Sequence, residues 1–567
     1  MAAPPQKTFL RQPDWIVAGL ITAAVIWLHF FFLIHAGGLW RDEVNLVNLA
    51  GRHSLGDMAK DSFPLLMPLI VRGWPVMGPG HGEAGLRLLG GLIGMGIVAA
   101  LWAAAWTARR SPPLLGLVLL ALNSTFIIYG DSLRAYGLGS LLIVLTARAA
   151  CAFLQRSSPA RAGWLALFAV LSVQALYPNA ILVGAICAGS WAVCARHKTW
   201  RAAVLVLGAG VAAAASLLPY LPTIVAGRSV TDVMRTGLKI TRALRNLTSA
   251  TGFPVEQYIY IWALLALAVI AGGCAAWCRQ AETPVENRHE VTTEDMRLFA
   301  GATAGAAISG FAGFLWFAAL PTQLWYFLPL MALAAMCFDA GLLSLPRLLS
   351  VALLGFVAAT ALIAIPAAQR DLNYRFTNVD LLARQLAGEV SPRDFVVVTP
   401  WFCGVSFNYY FKSSTPWTTL PPLADHSTHR YDLVRAQMQK TNAIQPVLDQ
   451  ITTTLQSDGR VWVVAAEGWM DIPDPGTPSP FALPPPPLKA TGWSDLPYAM
   501  EWSSQTAHFI GNHSRQFERV KTLTPGNLHI NESLDLFVAS GWQVSMPTNS
   551  PQTIKSNLKE ANGQDQQ

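Results

Sequence analysis

Charge is what this chain lacks first. Of its 567 residues only 13% are Asp, Glu, Lys or Arg, where soluble domains carry about 25%. Hydrophobic residues make up 53%, and the mean hydropathy is +0.37. Together these exclude a chain that lives wholly in water. The shortage is uneven: residues 10–368 are mostly apolar runs, and the last third is an ordinary polar mixture. Cysteine is scarce too. There are seven, with Cys403 alone in the polar third, which excludes a disulfide within it. Cys274 and Cys278 share a helix face, but no His or further Cys joins them at ligand spacing, so no zinc site is expected there. No basic cluster interleaved with aromatic rings is present, so nucleic acid is not an expected partner. The net charge of +7 is explained instead by basic turns on one side of a membrane.

Long apolar runs are what the chain has in plenty. The first, 15–33, is close to the ~20 residues a spanning helix needs. It exceeds the about 7–15 apolar residues of a cleaved leader, and no small-residue cleavage pattern follows, so a retained span is expected. Further runs at 86–108, 114–129, 133–154, 164–176, 180–193, 202–221, 258–277, 298–320, 324–338 and 348–365 predict about eleven spans. Arg109, Arg110, Arg156, Arg161, Arg196, Lys198, Arg201, Arg279, Arg288 and Arg347 fall in alternate turns, on the side of Lys7 and Arg11. The positive-inside rule makes that side cytoplasmic. The loop after the first span, the turn at Asp131, the loop 223–257 and the polar third then lie outside.

The expected architecture is a polytopic α-helical membrane domain at 1–369 and an extracytoplasmic α/β or α+β domain at 370–548, with a disordered tail at 549–567. Strands are expected at 395–399, 461–465 and 536–540, with helices at 378–387 and 431–440 between them. The proline-rich stretch 473–488 should be an extended, stiff loop.

The first outer loop holds two segments too short or too polar to cross, 42–53 and 63–77, and both suit helices lying along the interface. The first opens with adjacent acids, Asp42 and Glu43, beside Arg41. Acids at a membrane face are costly unless solvated, paired or used. On a helix, Val44, Val47 and Ala50 share one arc with Glu43 inside it, while Asn45, Asn48 and Arg52 form the other with Asp42 at its edge. Asp42 as a helix N-cap is the bland reading, but it leaves Glu43 on the apolar side unexplained. In the loop 223–257, Arg235, Lys239, Arg242 and Asn246 recur at helical spacing. That stripe suits a lipid phosphate or a merely solvated face. His29 is expected to bond between packed helices. His426, His429 and Asp425 lie in an aromatic-rich stretch of the polar third. They are metal-capable types, although loop packing or contact with an acceptor sugar fits them better.

Four motifs in order resemble a known superfamily: the Asp42-Glu43 pair, DSFPLLMPL from Asp61 to Leu69, EAGLRLLG from Glu83 to Gly90, and NSTFIIYGDSLRAYGL from Asn123 to Leu138. The chain is similar to the GT-C polytopic glycosyltransferases that use polyprenyl-phosphate sugars. The likeness is greatest to the protein-mannosyltransferase (family-39-like) and aminoarabinose-transferase members. By that resemblance Asp42 is the general base and Glu43 the second acid of its pair. Where the family has His-Pro-Pro, this chain has Phe63, Pro64 and Leu65. The family's Glu-x-Arg-x-Tyr reads Ser132 to Tyr136, its acid set back one position to Asp131, with Arg134 and Tyr136 retained. Trp325 stands where an Arg often precedes the Tyr.

The resemblance implies transfer of a hexose or pentose from a polyprenyl-phosphate donor to a lipid, glycan or protein acceptor at the bilayer surface. The membrane would be a bacterial inner membrane. Such chemistry needs a base for the acceptor hydroxyl and cations where the departing phosphate gathers charge. Asp42, Glu43 and Asp131 are the candidate catalytic acids, and Arg134, Tyr136, Arg87, Arg235, Lys239 and Arg242 the candidate phosphate contacts. No cofactor is required by the sequence; a divalent cation has room near Asp42 and Asp131. A transporter or flippase, and a catalytically inactive GT-C-like assembly subunit, are the alternatives.

Overall fold

The structure, a computed structural model, describes residues 12–59, 63–78, 80, 82–109, 111–230, 239–279, 291–318, 322–342, 346–470, 483–487, 493–522, 526–529 and 532–544. Arg235, Lys7, Arg11, Asp61, Arg110, Arg288, most of 473–488 and the tail 549–567 lie outside them.

The protein is a multi-pass membrane protein. Among the described residues nine helices are long and apolar enough to cross a bilayer. The chain opens with α1 (Gln12–His35), turns at Gly37 with φ +70°, and runs through α2 (Arg41–Ala50), α3 (Leu55–Met58) and α4 (Leu66–Gly73). Glycine suits that turn because positive φ crowds any Cβ. Then come α5 (Glu83–Arg109), α6 (Ser124–Gly130), α7 (Ala135–Gln155), α8 (Pro159–Ala175), α9 (Asn179–Arg196) and α10 (Trp200–Ala215). The bundle closes with α11 (Leu221–Val230), α12 (Ile240–Thr251), α13 (Tyr258–Cys278), α14 (Thr293–Ala318), α15 (Leu328–Gly341) and α16 (Arg347–Asp371). The two segments expected to lie along the interface are short helices, as their length and polarity require.

Two expected spans differ in form. The run 114–129 is no single α-helix: a π-helical segment, Gly116–Ala121, precedes α6. Its break has named causes. Asn123 caps α6, accepting from the Phe126 amide at 3.3 Å, and donates to the Ala250 carbonyl at 2.8 Å. Asp339 of α15 accepts from the amides of Leu115 and Gly116 at 3.1 and 2.8 Å, serving donors that a helix start leaves open. The segment still traverses the bundle. α5 and α7 both start beside α2, where Arg87 meets Glu43 and Arg134 meets Asp42, and their far ends join through Gln155 and the Thr107 carbonyl. The other, α8, has 17 residues and runs back from that far end.

Beyond α16 the chain builds a mixed sheet. The strands are β1 (Tyr374–Arg375), β2 (Phe395–Thr399), β3 (Trp417–Thr419), β4 (Val461–Ala466), β5 (Ser514–Val520), β6 (Asn527–Leu528) and β7 (Leu534–Trp542). Five of them run in the order β3-β2-β4-β7-β5. β2 is parallel to β3 and β4, whereas β7 is antiparallel to β4 and β5. Alternate residues feed opposite cores. Val397 and Val463 pack with Ile451 and Trp502 on one side, and Val396, Val398 and Val464 pack with Leu382 and Phe407 on the other. A sheet buried on both faces reads as a continuous apolar run, which is why β2 and β4 were legible in the sequence. The loops that leave the carboxyl ends of β2 and β3 reach α2, through Phe402 and His429. In open α/β sheets that end is where ligands are received.

Candidate active site at the junction of the two domains

α2 is the ledge on which the two domains meet. Its N-cap is Trp40 in extended backbone, and Glu43 closes the cap by accepting from the Trp40 amide at 3.3 Å. The capping acid is thus Glu43, not Asp42. Glu43 also accepts from Arg87 Nη1 at 2.7 Å and from the Leu133 amide at 2.9 Å, with its side chain fully buried. Arg87 Nη2 also donates to the Gly38 carbonyl at 2.6 Å. One carboxylate therefore ties α2 to α5 and to the turn that carries Arg134.

Asp42, one residue back, faces the other way and keeps 21% of its side chain exposed. Arg134 Nη1 lies 2.9 Å from its Oδ2; His429 Nε2 lies 3.3 Å and Arg41 Nε 3.8 Å from its Oδ1. Burial alone would raise this carboxyl, but the charge of Arg134, then His429 and Arg41, holds it well below the usual carboxylate range. Two guanidiniums against one carboxylate leave the spot electropositive.

Arg134 stands in an aromatic cage. Its guanidinium carbon lies 5.1 Å from the Tyr136 ring centre, 5.2 Å from Trp325, 5.5 Å from Trp40 and 5.9 Å from Phe63. Cation–π attraction holds the group in place without neutralising it. Phe63 and Trp325, two of the departures from the pattern the sequence resembles, are both walls of this cage. Tyr136 is buried within it, edge-on to Phe63 and stacked on Tyr326.

The second domain clasps the polar arc of α2. Phe402 sits over Arg41 at 4.5 Å. Asn45 Oδ1 accepts from the His429 amide at 2.9 Å, Asn48 donates to the Ser427 carbonyl at 2.7 Å, and Arg52 donates to Ser427 Oγ at 2.7 Å. At the start of α2, Glu532 accepts from the Arg41 amide at 3.1 Å and from Ser406 at 2.6 Å. Arg41, His429 and Glu532 were not among the candidate catalytic or phosphate-contact residues. His429 lay in an aromatic-rich stretch that did signal contact with a ligand or a neighbouring surface.

The remaining candidates fall elsewhere. Asp131 does not join Asp42. It is buried against His29, whose Nδ1 lies 2.8 Å from Oδ2, in a niche between α1 and α5. Glycines make that niche: a Cβ on Gly94 would come within 1.8 Å of Asp131 Oδ1, and one on Gly90 within 1.8 Å of its carbonyl oxygen. Asp131 and Arg134 thus meet different partners from one turn, His29 and Asp42 respectively. Arg87 is taken up by Glu43. Lys239 and Arg242 are exposed at the start of α12, while Asn246 turns inward onto Thr322. Arg235 lies outside the described residues.

Among the described residues no group of three His, Cys, Asp or Glu side chains is placed to hold a metal. Asp42 and Asp131, the acids near which the sequence allowed a divalent cation, are held by separate partners. His426 packs on Trp417 at 4.5 Å and Asp425 is bonded to Ser427 and Arg430. The three metal-capable side chains of that stretch have separate partners.

No family model matches the chain, and no curated protein matches it in sequence. In structure it is similar to ArnT from Cupriavidus metallidurans bound to undecaprenyl phosphate, with a TM-score of 0.50 and 13% identity over 80% of this chain and 94% of that one. Apo ArnT from the same organism gives 0.49 and 12%, covering 80% and 93%. The oligosaccharyltransferase of Archaeoglobus fulgidus in complex with zinc and sulfate gives 0.47 and 10%, covering 90% and 72%. The likeness to ArnT is one of fold.

Proposed function

We propose that the protein is an inverting glycosyltransferase. It moves a sugar from a polyprenyl-phosphate donor to an acceptor at the outer face of a bacterial inner membrane. The observation that carries this reading is the partly exposed Asp42 confronting the caged Arg134 where the membrane bundle meets the second domain. Undecaprenyl phosphate in the ArnT structure supports the donor class. The basic turns at the end of the bundle away from the second domain support a cytoplasmic N-terminus.

In the proposed reaction the acceptor oxygen attacks the anomeric carbon as the bond from that carbon to the phosphate oxygen breaks. Asp42 takes the acceptor proton. The electron pair of the broken bond goes to the phosphate, whose charge Arg134 and Arg41 receive. The polyprenyl tail stays in the bilayer, which explains a site at the membrane surface. Tyr136, Phe63 and Trp325 keep water from the guanidinium, and low local dielectric strengthens its grip on an anion. The Glu43–Arg87 and Asp131–His29 pairs hold the scaffold that aims Asp42 and Arg134. Lys239 and Arg242, with Arg235, offer positive charge to the lipid phosphate or to anionic headgroups. The second domain covers the ledge and selects the acceptor.

The test is to incubate purified protein with a panel of polyprenyl-phosphate hexoses and pentoses and candidate acceptors, then identify the product by mass. Covalent transfer that disappears in Asp42→Asn supports the reading. Substrate accumulation in sealed vesicles without transfer would replace it with a transporter.

A further inference from the structure

A base gripped by a guanidinium is a weak base, so the site needs a way to free it. We propose that the donor's phosphate and Asp42 compete for the single guanidinium of Arg134, so that donor binding releases the carboxylate for catalysis. The proposal rests on the reading above that the site takes a polyprenyl phosphate.

The geometry separates the two carboxylate oxygens. Among the described residues Arg134 is the cation that faces Oδ2, at 2.9 Å, whereas Oδ1 is approached by His429 at 3.3 Å and Arg41 at 3.8 Å. Arg134 Nη1, although near Oδ2 and buried, makes no aligned hydrogen bond. The pair is a contact of charge, and a tetrahedral phosphate offers that N–H a better-directed oxygen. Four rings wall the guanidinium, so an arriving anion meets it at the edge Asp42 already occupies. Once the phosphate takes that edge, Oδ1 keeps His429 Nε2 beside it at 3.3 Å and Oδ2 is left with a free lone pair. The positive charge that held the carboxyl deprotonated and weakly basic is now shared with the phosphate, so its affinity for a proton rises.

The step balances. The acceptor O–H proton passes to Asp42 Oδ2, the acceptor oxygen bonds to the anomeric carbon, and the carbon–oxygen bond to phosphate breaks. Its electron pair stays on the phosphate at Arg134. When the lipid phosphate leaves, Arg134 returns to Asp42 and the proton departs to solvent. The donor must therefore bind before the acceptor can be activated.

Binding of undecaprenyl phosphate to the full chain in nanodiscs tests this without any knowledge of the sugar. Asp42→Asn should tighten the Kd about tenfold, roughly the loss of one competing ion pair. Asp42→Ser should do the same, which guards against a new contact from the amide. Arg134→Gln should weaken binding by about tenfold or more. In the double variant the gain from removing Asp42 should vanish, because the two anions no longer share a partner. A gain that persists without Arg134 is general repulsion and overturns the competition. So does an unchanged or weaker Kd in Asp42→Asn. Failure of wild type and all variants to bind undecaprenyl phosphate overturns the lipid-phosphate reading itself, and the competition with it.

Discussion

The two faces of α2 carry adjacent acids with opposite duties. Towards the membrane bundle, Glu43 is fully buried and bonded to a helix cap, an arginine and a backbone amide. Towards the second domain, Asp42 keeps part of its surface open and meets Arg134 of the bundle and His429 of the second domain. The difference teaches where to look for chemistry in such a chain. A fully satisfied buried acid is a strut, and an acid held by charge and left partly open at a joint between domains is the candidate for chemistry. Breaking a buried pair leaves an uncompensated charge, whereas altering an exposed one leaves the fold intact.

The sharpest test of that contrast is turnover. Asp42→Asn should lower transfer by about a thousandfold while leaving membrane insertion and thermal stability unchanged, in line with the loss of a general base. Retained turnover with a folded protein would erase the distinction between the faces. The opposite face should respond in stability: Glu43→Gln strands Arg87 and should cost about 3 kcal/mol, read as a lower melting temperature and yield. The double change Glu43→Gln with Arg87→Met should recover part of that loss, because no buried charge then lacks a partner. A smaller effect is expected at the clasp. His429→Ala should lower kcat about tenfold with little change in the donor KM, whereas His429→Gln, which keeps an N–H donor, should recover part of the rate.

The mildest effect concerns pH. Burial pushes Glu532 up to about 7, against the opposing pull of Arg41, Ser406, Thr377 and the Arg41 amide. A carboxyl raised by folding stabilises the fold while it is protonated. That contribution is complete below the ordinary carboxyl value near 4.5 and is lost as pH rises through about 7. The wild type should therefore melt a few degrees lower at pH 8 than at pH 5, and Glu532→Gln should flatten this dependence. An equal fall in both proteins would assign the effect to other groups.

Much of the fold was legible because it depends on periodicity. The polar arc Asp42, Asn45, Asn48 and Arg52 was visible as an arc, and it is the line along which the 427–429 loop docks. What lay opposite was not visible. His429 reaches Asn45 across 384 positions of chain, and Arg87 reaches Glu43 across 44. Asp131 was misplaced for a related reason. Its neighbours in sequence point to the site, yet the glycine niche beside His29 takes its side chain the other way.

By itself the sequence determined most of the long apolar helices, the alternation of basic turns, the two short helices of the first loop and the buried strands. Each of these follows from how a short stretch partitions between water and an apolar phase. Only the tertiary structure decided which acid stays partly open and which arginine meets it. The stability of a charge away from water depends on partners that folding imports from distant segments, and no local pattern records them.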